Sequence, residues 1–270
     1  MARDALFSLL ILACSIGIGI EGRLALADGC RPTPYSAKEI QERQNLVAPM
    51  PVGSRIAYWA EQFRNLPYDT DPLGKYVRTR KIVCDQEMDC MYLVFRSVEL
   101  ALSKTPEGAV DKALDLRFKT KGKLDKDNNV LNYGERFDYA EDMIASGKWG
   151  KDITSEIAPT QEVPGSRGYK KVQYVPKAEL MEEKYFSRLK DGDIIYFIKS
   201  PAKRAVGEIV GHMGIIKMEA EHGSGKPAPC LIAASGTKTT AKHCGGGLVK
   251  KIPLVDYLSS TSFIGAKFTR

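Results

Sequence analysis

The chain has 270 residues, a formal net charge of +7, 43% hydrophobic and 27% charged residues, which supplies core material for one large domain or two intimate subdomains. After the N-terminus no stretch approaches the roughly 18 consecutive apolar residues of a membrane span. No finger spacing, RNA-binding signature or long basic run accompanies the positive charge, which argues against nucleic acid and for a solvated surface that attracts anionic polymers such as wall carboxylates, phosphates or lipid head groups.

The first element is a leader. Arg3 precedes an apolar run from Ala5 to Ile20, and Ala25-Leu26-Ala27 follows. A positive start, a short apolar segment and an A-x-A site describe a secretory signal over residues 1–27, cleaved after Ala27. An uncleaved membrane anchor is the alternative. Lipidation at Cys30 is disfavoured by Ala27 and Asp28 just upstream. Charges within the leader cancel, so residues 28–270 keep the +7.

Helices dominate the first half. Ser36 and Glu39 form a capping box for a helix running to about Val47. Ile56, Trp59, Ala60 and Phe63 fall at i, i+3, i+4 and i+7, one buried helical face, which Leu66-Pro67 ends. Cys90, Val94, Val98 and Ala101 share another stripe, with Asp89 in the capping position. Thr105-Pro106 starts a further helix carrying Val110, Ala113 and Leu114. One more runs from about Gly134 through Phe137, Ala140 and Ile144 to Gly147. The segments 122–129 and 165–168 read as surface loops.

From about residue 165 the texture becomes strands. Asp191-Gly192 is a turn before Ile194–Ile198, and later runs are His212–Met218, Cys230–Ala234, Leu248–Ile252 and Ser262–Phe268. Helices first and strands afterwards predict an α+β fold with a helical part over about 31–160 and a strand-rich part over about 165–270.

Five cysteines remain after the leader, and an odd count in an oxidising compartment suggests pairs plus one thiol. Cys230 and Cys244 flank a predicted loop and are read as a bridge, which leaves Cys30 and Cys84 to pair and Cys90 alone. Zinc is the competing view, with His243 beside Cys244, but no C-x2-C pair is present. A thiol opening a helix meets the positive end of the dipole, which favours the thiolate. The competing reading makes Cys90 simply buried or bridged. Three histidines limit the choice of base: His222 falls in a loop, His243 beside the expected bridge, and His212 at the mouth of a strand that fixes its backbone. Imidazole accepts a thiol proton near neutral pH, so Cys90 and His212 are the candidate dyad.

The ordered set Asp89-Cys90, then Asp191-Gly192-Asp193-Ile194-Ile195-Tyr196-Phe197, then His212-Met213-Gly214-Ile215 resembles the NlpC-type cysteine hydrolases of bacterial cell walls. Leu66-Pro67-Tyr68 with Pro72-Leu73, Met91, Arg136-Phe137-Asp138-Tyr139 and Asp152-Ile153-Thr154 resemble its N-acetylmuramoyl-L-alanine amidase-like branch. The likeness spans roughly residues 54 to 270. It implies a single papain-like α+β domain over 28–270, its helical part packed on a small antiparallel sheet or barrel. It also implies hydrolysis of a peptidoglycan or muropeptide amide through a thioester, with Cys90 attacking and His212 taking and returning the proton.

Tyr68 and Asp89 match family positions near the cleft and are candidate substrate contacts, although Tyr68 also suits a core aromatic. One position departs from the family. Where a third polar residue commonly follows the base, the sequence reads Ile232-Ala233-Ala234-Ser235, which puts Ala233 in its place. Asp193, Ser235 and His243 are the candidate substitutes; without one, the fold would serve as a catalytically silent wall-binding module. Met91 favours an amidase over a stem-peptide endopeptidase with the same dyad. Cysteine–imidazole hydrolysis needs no cofactor or metal, the leader implies a periplasmic or secreted protein with no stable membrane span once it is removed, and a monomer is expected.

Overall fold

In a computed structural model, residues 35–220, 227–236 and 247–270 are described. The leader, Cys30, His222, His243 and Cys244 all lie outside them. Among the described residues no helix is long and apolar enough to cross a membrane.

The helical layer comprises α1 (Ala37–Val47), α2 (Val52–Gln62), α3 (Lys75–Thr79), α4 (Cys90–Leu102), α5 (Pro106–Leu116) and α6 (Ala140–Ser146). The capping box forms: Glu39 N–H donates to Ser36 Oγ while Ser36 N–H donates to the Glu39 carboxylate at 2.7 Å. Thr105 caps α5 by accepting from Gly108 N–H at 3.0 Å. The helix expected from Gly134 is shorter. Residues 136–137 are spent on pairing, Phe118 bridging Arg136 and Phe137 N–H donating to the Arg117 carbonyl at 2.9 Å. Only a 3-10 turn at Tyr133–Glu135 precedes α6, which closes at Gly147 with φ of 68°.

The second half forms β1 (Gln161–Pro164), β2 (Lys171–Pro176), β3 (Ile194–Ile198), β4 (Val210–Ala220), β5 (Pro227–Gly236), β6 (Gly247–Pro253) and β7 (Gly265–Thr269). Short helices α7 (Thr154–Ile157), α8 (Lys177–Leu180) and α9 (Leu254–Ser260) are interposed. The strands make one antiparallel sheet in the order β1-β2-β7-β3-β4-β5-β6. The α+β class is as expected, but the sheet is open rather than a barrel, with β1 and β6 at its edges. The β6 edge is covered by residues 65–68: Asn65 N–H donates to Val249 O, Val249 N–H to Leu66 O and Tyr68 N–H to Gly247 O, each at 2.9 Å. This covering blunts the edge against pairing with another chain.

Strand alternation divides the core. Ile194, Tyr196, Met213, Ile215, Ile232 and Ala234 face the helical layer. Ile195, Phe197, Ile216, Leu231, Ala233 and Phe268 face the other side, where α9 packs through Leu254, Tyr257 and Leu258.

Helix α4 is buried on every side from Tyr92 to Ala101, including Arg96 and Glu99. Its charges are paired inside the core. Arg96 donates to both Asp85 oxygens at 2.9 and 3.1 Å and to Glu99 at 3.2 Å. Arg117 donates to the two Glu99 oxygens at 2.6 and 2.7 Å and to the Ile82 carbonyl at 2.9 Å. Burial alone would push the Arg96 guanidinium down, but Asp85, Tyr92 and Glu99 outweigh it and hold it above its ordinary value. Two acids and two bases leave the chain of contacts neutral, and Tyr92 joins it by donating to Asp85 at 2.7 Å.

Glu99→Ala leaves the buried Arg117 guanidinium without a carboxylate partner, so urea unfolding should show a loss of about 3–5 kcal/mol. Glu42→Ala removes only an exposed i,i+4 pair with Lys38 and should leave the midpoint essentially unchanged. Equal effects from the two substitutions would contradict the role given to the buried charges.

Candidate active site

Cys90 opens α4 directly after Asp89, whose Oδ1 accepts from Tyr92 N–H at 2.7 Å with φ −83° and ψ 176°. The capping role read from the sequence is therefore realised. The thiol is not part of a disulfide; it is partly buried and packs on the core beside Tyr68 and Met91. A thiol in this place lies at the positive end of a thirteen-residue helix, which favours its ionised form.

Tyr68 is brought to the same corner by backbone pairing. Met88 N–H donates to the Pro67 carbonyl at 3.0 Å and Asp69 N–H to the Met88 carbonyl at 3.1 Å. Residues 67–69 thus run beside the turn that leads into Cys90. Burial first, then the charges of Cys90, Asp89 and Asp69, push the Tyr68 phenol up. Asp69 is buried and anchors the loop that follows, accepting from Lys75 N–H at 2.6 Å and Asp71 N–H at 2.9 Å.

His212 lies near the start of β4 and pairs with Phe197 of β3. Gly214 explains the spacing of the H-x-G-I motif. A Cβ there would lie 2.6 Å from a Leu231 methyl and 2.7 Å from the Ile232 carbonyl, so only glycine lets β5 pass this closely. The β4–β5 pairing runs as far as Ile215 opposite Ile232. Ser235 pairs with Leu248, and Pro67 bridges Leu248. Phe197 and His212 thus form one row across β3 and β4, and Ser235 and Leu248 another across β5 and β6, the latter beside Tyr68 and the turn into α4.

Within its row His212 points to the sheet face opposite the helical layer. Its ring stacks on Phe197 at 6.0 Å and on Tyr257 of α9 at 5.6 Å. Tyr257 links the two candidate groups: its phenol is pushed up by burial first and then by the charge of Cys90. Helix α9 and Tyr257 are not among the elements and residues expected from the sequence, although Leu254, Tyr257 and Leu258 carry the i, i+3, i+4 signal. The residue His212 is partly exposed, yet Nε2 is buried with no hydrogen-bond partner among the described residues.

The mouth of β4 is held by a residue that the sequence did not single out. Glu141 of α6 is buried, and its oxygens accept from Ile209 N–H at 3.1 Å and Val210 N–H at 3.3 Å. A lone glutamate in a helix carries no sequence mark of such a role, because its partners are backbone amides distant in the chain.

Two of the expected assignments are corrected. Asp193 does not orient His212: its oxygens accept from Arg270 Nε and Nη2, each at 2.7 Å, and from Lys190 N–H at 2.8 Å. It precedes β3, four residues from Phe197, which is about 13 Å along a strand. Cys230 does not bridge Cys244, because it lies within β5 as a thiol donating to Glu219 at 3.6 Å. Burial, and then Glu219, push that thiol up to about 11, which makes it inert. Cys84 is buried, and its expected partner Cys30, like the zinc reading's His243 and Cys244, lies outside the described residues. Among the described residues no group of three His, Cys, Asp or Glu could hold a metal ion.

Burial holds the His212 imidazole down at about 4, against an ordinary value near 6.5. The unfolded chain thus binds a proton here at a pH where the native ring stays neutral. The stability tied to this ring is complete above about pH 6.5 and is lost as pH falls toward about 4. In urea unfolding, the wild type should lose stability relative to His212→Gln between about pH 7 and 4. Parallel curves would contradict a buried neutral imidazole.

No family model matches the chain, and no curated protein matches it. Solved structures do share its architecture. An N-acetylmuramoyl-L-alanine amidase from Bacteroides uniformis aligns with a TM-score of 0.57 at 22% identity, over 81% of this chain and 98% of that one. A protein from Legionella pneumophila with the family model DUF1460 aligns with a TM-score of 0.60 at 16% identity, over 86% of this chain and 93% of that one. At these identities the likeness shows a common fold.

Proposed function

We propose that the chain is an exported cysteine hydrolase of papain-like, NlpC-type architecture that cleaves an amide bond in peptidoglycan or muropeptides. The observation that carries the reading is the position of Cys90. It opens a buried helix that packs on β4, the strand that carries His212. The amidase from Bacteroides uniformis that shares the fold supports the choice of bond between the lactyl group of N-acetylmuramic acid and L-alanine, as does Met91 beside the nucleophile.

The chemistry follows from the groups present. His212 accepts the Cys90 proton, and the thiolate attacks the amide carbonyl. Amides at the start of α4 favour the oxyanion that develops. Collapse breaks the C–N bond, His212 returns its proton to the leaving amine, and a thioester remains on Cys90. Water, deprotonated by His212, then releases the lactyl carboxylate and regenerates the thiol. Tyr68 and Asp89 flank the nucleophile and are assigned to substrate contact and to capping of α4. Export rests on the pattern of residues 1–27.

Ala233 favours a second reading, a silent wall-binding module, because its methyl group offers the base no hydrogen bond. The two readings separate in mass spectrometry of defined muropeptides. The amidase releases sugar-free stem peptide, and Cys90→Ala lowers that release by several orders of magnitude. Fragments cut within the stem would identify an endopeptidase, no cleavage by the wild type would favour the silent module, and full turnover by Cys90→Ala would overturn the cysteine assignment.

A further inference from the structure

The catalytic triads of acyl-transfer enzymes fix the imidazole with a third polar side chain. Among the described residues no side chain, Ser235 included, makes a hydrogen bond to His212. Ala233 is buried and apolar, Asp193 is taken by Arg270 and Lys190, and Nε2 has no hydrogen-bond partner among the described residues. An unrestrained imidazole would sample several rotamers, and an angstrom of misplacement costs about 100-fold in rate.

Two aromatic rings in contact with each other back the ring on one side instead. The Phe197, His212 and Tyr257 rings are mutual neighbours, with centroids 6.0, 5.6 and 4.8 Å apart, and the imidazole lies within 25° and 28° of the other two planes. Phe263 backs Phe197 at 5.5 Å and 29°. Near-parallel offset rings at this spacing attract by dispersion and quadrupole terms. Each wall is itself fixed: Phe197 is fully buried in β3, and Tyr257 rides on α9 between the fully buried Leu254 and Leu258.

Resting on the cysteine-hydrolase reading, we propose that Tyr257 is a positioning residue for His212: with Phe197 it forms a one-sided aromatic clamp that backs the imidazole by stacking, in place of a hydrogen bond from a third polar residue. The clamp sets the plane of the ring while committing no proton on it. The influence of the Cys90 charge on the Tyr257 phenol agrees with a wall that reaches toward the nucleophile.

Because the contact is between faces, the ring matters and the hydroxyl does not. On a defined muropeptide, Tyr257→Phe should keep kcat near that of the wild type. Tyr257→Leu should lower kcat by about 100-fold with KM little changed. Tyr257→Met, also without a ring, replaces it if the leucine variant does not fold. In NMR titrations the His212 midpoint should rise toward its ordinary value in the ringless variant, as water reaches the imidazole, and stay low in Tyr257→Phe. Wild-type kcat in a folded ringless variant, or equal losses in the phenylalanine and ringless variants, would overturn the clamp while leaving the hydrolase reading intact. Cys90→Ala is run alongside, and turnover in that variant would defeat the hydrolase reading itself.

Discussion

Everything at the candidate site depends on a neutral chain of four charges sealed inside the helical layer. Asp85, Arg96, Glu99 and Arg117 are each almost wholly buried and bonded in sequence. Two of them belong to α4, and the others tie that helix to the preceding loop and to the end of α5. Buried ion pairs add little net stability against an apolar alternative, but they punish any arrangement that separates them. A helix held this way cannot slide or rotate without stranding a charge. Its first residue, Cys90, is accordingly fixed in both height and direction.

The sheet provides the second fixed point. Glu141 holds the amides at the mouth of β4, and Gly214 allows β5 to lie close beside it. His212 is thereby placed without any hydrogen bond to Nε2 among the described residues. Cys90 opens the helix that packs on β4, and His212 of that strand points to the opposite sheet face, where Tyr257 stacks on it. Open chemistry at a sheet end, with rigid elements behind it, is how a small α+β domain presents reactive groups while its core stays closed.

Much of this was legible in local sequence because the signals are local. Ser36 with Glu39, Asp89 before Cys90, and Thr105-Pro106 each cap within one turn, and the continuous apolar run after Gly192 gives β3. What escaped has a common physical cause. Asp193 stands in a motif that suggests a catalytic neighbour, but its partner Arg270 is the last residue of the chain. Cys230 looked like half of a bridge because its run was taken to begin at a loop, whereas β5 starts at Pro227 and carries the thiol into pairing with Lys217. The helix predicted from Gly134 lost its first turn to pairing with residues 117–118. Helix α9 is only seven residues long and follows β6 with no break, so its apolar spacing merged with that of the strand. In each case a contact distant in sequence decided the outcome, and spacing along the chain carries no record of it.

The central claim is that the Cys90 sulfur forms a covalent bond to the acyl group during turnover. Rapid quenching of the wild-type protein with a slowly hydrolysed ester analogue of the substrate, followed by peptide mass mapping, tests this directly. The account predicts a transient mass increase equal to the acyl group on the peptide that contains Cys90, decaying as the carboxylate product appears. Turnover of the ester with that peptide unmodified at every time point, or an adduct on another residue, would contradict it.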